Sequence, residues 1–148
     1  MSTLFAFLHH LAAFTLVAAL AVEFVLLGRA LTLDNARRIL AADIVLGVSA
    51  SVLLVVGLLR VFYFEKGATY YLSSHAFLTK LSVFILVAVL SIVPTVWFLS
   101  WRKALKAGQL PVVAEKKQRL VRGLIHAELT GIVIILLCAA IMAKGGWV

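Results

Sequence analysis

Residues 4–27 read LFAFLHHLAAFTLVAALAVEFVLL, and this run decides the fold. A helix rises ~1.5 Å per residue, so ~20 mostly apolar residues cross the hydrocarbon core of a bilayer. The run is long enough, yet it carries His9 and His10 toward one end and Glu23 toward the other. Ionisable groups at such depth are costly, and they face a protein interior or a wet path. What those three side chains face is the question that the other helices have to answer.

The whole chain has the same character. Its 148 residues are 64% hydrophobic, with a mean hydropathy of +1.14. That composition specifies one all-α integral membrane domain. Three more apolar runs follow the first, giving transmembrane spans at about 4–28, 37–63, 75–101 and 122–144. Ala19-Leu20-Ala21 resembles a signal-peptide cleavage site. No Lys or Arg precedes the run, however, so it is expected to be retained as a span. The lone Cys138 lies inside an apolar run and reads as a small hydrophobe, with no disulfide framework.

The net charge is +8, but its distribution speaks for topology and against nucleic acid. The first connection carries Arg29, Arg37 and Arg38 against Asp34. The third carries Arg102, Lys103, Lys106, Lys116, Lys117, Arg119 and Arg122 against Glu115, whereas the middle one holds only Glu65 and Lys66. By the positive-inside rule the basic loops are cytoplasmic and both termini are outside, in the periplasm of a bacterial inner membrane. Short loops favour an antiparallel four-transmembrane-helix bundle. Local signals refine this. Asp34 is expected to N-cap the second helix, and Ser73 or Ser74 the third. Tyr70, Tyr71 and Phe77 suit the headgroup level. Pro94 is expected to kink the third helix, with Ser91 and Thr95 placed to satisfy the freed backbone groups. Pro111 opens an amphipathic lead-in, VVAEKKQRLVR, to the fourth span.

With this topology the ionisable residues fall into two layers. His9, His10, Arg60, His75 and Lys80 lie toward the outer face, and Glu23, Asp43, His126 and Glu128 toward the inner face. At about 100° per residue His9 lies within ~40° of Glu23, whereas His10 is ~140° away. The angle favours His9 as the inward residue, with His10 still open to a tilted helix. On the second span Asp43, Ala50 and Gly57 recur every seven residues. Ala50 and Gly57, with Gly47 beside them, read as a packing groove, which leaves Asp43 unexplained. His126 and Glu128 are ~160° apart, so only one of them faces inward. Taken singly, each charged residue could snorkel or pair at the interface. Four helices aligned at two depths argue for the layers as a set.

Histidines in such bundles ligate haem, bind metal or move protons. A zinc site wants three or four close ligands, and the outer layer has no thiol and no carboxylate deeper than Glu65. Haem b wants axial imidazoles with cations near its propionates. His9 or His10 with His75, flanked by Arg60 and Lys80, matches that pattern. The inner carboxyls suit proton carriage. A different class of reading is a non-enzymatic, homo-oligomeric small transporter, proton or ion path, or assembly subunit, in which the layers are successive stations.

The histidine early in span one, Gly57 in span two, Lys80 followed by an aliphatic run, the basic loop and the polar start of span four together resemble a family. The chain looks like an uncharacterised family of small four-span bacterial membrane proteins (a domain of unknown function), and more distantly resembles the HemJ-type protoporphyrinogen oxidases. The HemJ resemblance implies association with haem b and functional roles for His9 or His10 and for Lys80. It also implies an oxidoreductase acting on a tetrapyrrole, passing electrons to quinone or another membrane redox protein. Where that family has Asn-Glu-Val-Pro-Thr this chain has His126-Ala127-Glu128-Leu129-Thr130.

Overall fold

The computed structural model describes residues 2–59, 62, 69 and 75–144. Within them lie α1 (Ser2–Leu27), α2 (Leu33–Leu59), α3 (His75–Leu99), the short α4 (Arg102–Lys106) and α5 (Glu115–Ala143). Four of the helices are long and apolar enough to cross a membrane: α1, α2, α5, and α3 continued by α4. Their outward faces are apolar. Phe7, Phe14, Val48, Val96 and Val133 are all more than half exposed. Water would not tolerate such a surface, but lipid tails cover it without penalty.

The helices associate as two pairs. α1 packs along α2 and α3 along α5, while α1 meets α5, and α2 meets α3, less extensively. Within the first pair, His9 of α1 lies against Gly57 of α2, where an added Cβ would sit 3.6 Å from the imidazole. Near the other end of the same pair, Glu23 neighbours Asp43. The two helices thus keep one antiparallel register along their length. In the second pair Gly131 brings α5 close to α3. A Cβ at Gly131 would fall 2.6 Å from Cγ2 of Val87, and valine has little freedom at χ1 to retreat. The best-buried apolar residues, among them Leu27, Ile39, Phe98, Trp101, Val121 and Ile125, gather at the end that carries the basic loops.

Several boundaries differ from the sequence expectation. α2 starts at Leu33, and Thr32 rather than Asp34 caps it. The Asn35 N–H donates to Thr32 Oγ1 at 3.1 Å, and the Ala36 N–H donates to the Thr32 carbonyl at 2.9 Å. A hydroxyl just before the helix meets the orphan amides of the first turn. Asp34 lies two residues past that cap, inside the first turn, and instead pairs with Arg38 at 3.0 Å on the surface. The charged lead-in is the start of α5 itself, which begins at Glu115 and not at Pro111. Its Glu115–Arg119 pair, at 2.7 Å, is also largely exposed.

α4 ends where Gly108 turns left-handed, with φ 71. Gln109 N–H then reaches Ala104 O at 2.9 Å and Gly108 N–H reaches Leu105 O at 3.1 Å. This Schellman arrangement ends the helix and turns the chain toward α5. Pro94 sits inside α3 and is buried. Ser91 Oγ donates to Ala88 O at 2.7 Å, whereas the carbonyl that Pro94 frees is that of Leu90, and Thr95 serves a neighbouring helix instead. Phe77 is buried in the bundle, so packing and not the headgroup level determines its place. Ser73, Ser74, Tyr70, Tyr71, Glu65 and Lys66 lie outside the described residues.

Candidate functional site

Three of the six acidic residues of the chain occupy the bundle interior. Glu23 is 0% exposed, Glu128 1% and Asp43 3%. They come from α1, α5 and α2, and α3 adds Thr95, whose Oγ1 donates to Asp43 Oδ1 at 3.0 Å. The Glu23 and Asp43 carboxyls are neighbours, and Glu128 is within coulombic reach of both. Both Glu23 oxygens and Glu128 Oε1 are buried with no donor directed at them. An ionised carboxylate only accepts, so Glu23 and Asp43 bond to each other only when one of them holds a proton.

No described cation forms an ion pair with this cluster. Among the described residues the acidic partners in ion pairs are the surface Asp34 and Glu115, and no Lys, Arg or His pairs with the interior three. The guanidinium of Arg122 instead lies over the ring of Phe24, 4.6 Å from its centroid. His126 is exposed, with its ring 6.0 Å from that of Phe24. Among the described residues no three His, Cys, Asp or Glu side chains are grouped to hold a metal ion. Burying one charged carboxylate costs several kcal/mol when no cation answers it, and like charges repel most where the dielectric is lowest. The arrangement is therefore suited to holding and exchanging protons.

The outer layer is assembled differently. His9 is half-buried beside Gly57, while His10 is exposed and its Nδ1 donates to Ala6 O at 2.6 Å. The two rings stand edge to face with centroids 5.9 Å apart. His75, the first residue of α3, is exposed, and Lys80 is half-buried. Arg60 lies outside the described residues. Of the inner residues singled out by depth, Glu23, Asp43 and Glu128 meet, and His126 does not join them. One polar member escaped sequence reasoning, Thr95. The available signal for Thr95 was a hydroxyl directly after Pro94, where a local backbone role accounted for it equally well.

A family model described as Predicted membrane protein (DUF2214) matches residues 1–146. No curated protein and no solved structure matches the chain.

Proposed function

The chain belongs to the DUF2214 family of predicted membrane proteins, and we propose that it is a proton-carrying membrane module. Its working groups are Glu23, Asp43 and Glu128, with Thr95 fixing the Asp43 carboxyl. The observation that carries this is Glu23, fully buried with neither oxygen answered by a donor, beside two further acids. Ionisable residues inside a membrane-spanning bundle mark proton or ion pathways more often than packing sites. By the positive-inside rule the basic loops favour assigning this end of the bundle to the cytoplasmic side of a bacterial inner membrane. The exposed His126 and Thr130 on α5 offer polar contacts for a second copy in a homo-oligomer. The test is proton flux into liposomes holding the purified protein and a trapped pH-sensitive dye. Wild type is expected to dissipate an imposed gradient, and Glu23→Gln to fall to the rate of protein-free liposomes. Equal rates for wild type, variant and empty liposomes would overturn the reading.

A second reading, a HemJ-like tetrapyrrole-associated redox protein, is favoured by the inward placement of His9. His9 fits as one axial ligand of haem b, and the half-buried Lys80 as a cation for a propionate, with Arg60 assigned the same role by position. His10 and His75 are exposed, so neither supplies a second imidazole from inside the bundle. Bound haem would supply one-electron transfer, with quinone or another membrane redox protein as partner. Absorbance of the purified protein, oxidised and then dithionite-reduced, tests this. A Soret band lost in His9→Ala and kept in His10→Ala and His75→Ala is the expected result, and no band in wild type sinks it.

A further inference from the structure

We propose that the α1–α2 and α3–α5 pairs are held together by protons in the Glu23–Asp43–Glu128 cluster, and part when Glu128 and a carboxyl of the other pair are ionised together. This rests on the proton reading above and adds a mechanical consequence to it.

The cluster straddles the seam between the pairs. Glu23 and Asp43 come from one pair, and Glu128 and Thr95 from the other. Each pair is closely packed within itself, through His9 against Gly57 and Gly131 against Val87, so each moves as a body. The seam is lighter. Within the cluster Thr95 Oγ1 bonds Asp43 Oδ1 across the seam; the other described polar ties across it lie at the basic end, where Gln118 Nε2 donates to Leu27 O at 2.7 Å, Arg37 Nη2 donates to Leu105 O at 3.4 Å, and Arg122 stacks on Phe24. None of the ties at the basic end involves a carboxyl. They survive ionisation of the cluster and act as the hinge.

The groups that face Glu23 are Asp43 from α2 and Glu128 from α5, with Thr95 of α3 on Asp43. Arg122 and the exposed His126 of α5 flank the neighbouring Phe24 and make no described ion pair with the cluster. A second negative charge therefore meets only like charge, and repulsion across the seam relaxes by separation at the end remote from the hinge. Ionisation increases as pH rises, so opening is expected at alkaline pH.

The test uses the full chain in lipid nanodiscs, with Cys138 replaced by alanine and spin labels read by pulsed electron paramagnetic resonance. Labels at the lipid-facing Leu11 and Leu137 report across the seam. Labels at Leu11 and Leu54 report within one pair. The cross-seam distance is expected to lengthen by several ångströms between acid and alkaline pH, with the within-pair distance constant. The isosteric Glu128→Gln and the triple Glu23→Gln, Asp43→Asn, Glu128→Gln variants are expected to stay closed throughout. A cross-seam distance that ignores pH, while infrared spectra show the carboxyls exchanging protons, overturns the latch and leaves the proton reading intact. Carboxyls that exchange no protons at any pH overturn both.

Discussion

At the end of the bundle that carries the basic loops, carboxyls from three helices meet out of contact with solvent. At the opposite end three histidines share a depth but not a face: His9 turns toward α2, while His10 and His75 look outward. Depth in a membrane bundle follows from counting residues along each helix, but a meeting of side chains also needs the right angle on every helix. Asp43 and Glu23 satisfy both because α1 and α2 keep one register from His9–Gly57 down to the cluster. His75 is the first described residue of its helix and is exposed there.

The sharpest way to break this contrast is to replace the acids by apolar residues. Glu23→Leu combined with Glu128→Leu is expected to raise unfolding stability by ~1–4 kcal/mol, since carboxyls without a cation are removed from the interior. Denaturant titration in mixed micelles reads it, and a loss of stability would mean that the cluster is a structural element. Thr95→Val strips Asp43 of its donor while keeping the shape, and is expected to cost about 1–3 kcal/mol in the same assay. An unchanged midpoint would remove α3 from the site.

Packing gives the next contrast. Gly131→Val is expected to cost ~1–3 kcal/mol because it drives α5 into Val87. At Gly47, where an added Cβ would meet nothing within 4 Å, the same change is expected to stay within about 0.5 kcal/mol. Equal effects at both glycines would contradict the close α3–α5 approach. The smallest pair concerns the start of α2. Thr32→Ala is expected to lower stability by ~1 kcal/mol through the lost cap. Asp34→Ala, which removes only an exposed ion pair, is expected to cost a few tenths of a kcal/mol, about the measured worth of such a pair on a helix surface.

Much of this was legible from residue order because the bilayer imposes it. Span length and apolar composition require four helices, and the scarcity of ionisable residues makes Glu23, Asp43 and Glu128 conspicuous. The heptad Asp43–Ala50–Gly57 and the angle between His9 and Glu23 placed the inward faces before any coordinates. What stayed hidden depends on contacts between helices far apart in sequence. The spacing of His126 and Glu128 says that one turns inward, and only the packing of α5 on α1 decides that it is Glu128. A threonine hydroxyl can serve its own helix or a neighbour, so Thr95 was read locally and found 52 positions away, on Asp43. Phe77 looked like an interface aromatic because composition carries no information on which face the bundle covers. Thr32 and Asp34 compete for one cap, and the true helix start settles it.

The central claim is that the buried carboxyls hold and exchange protons, and infrared difference spectroscopy of the protein in nanodiscs during a pH titration tests it most directly. The account predicts a protonated-carboxyl carbonyl band that shifts on hydrogen–deuterium exchange and changes in Glu23→Gln and Glu128→Gln but not in the surface variant Asp34→Asn. A band that stays the same in Glu23→Gln, or no such band at any pH, would contradict it.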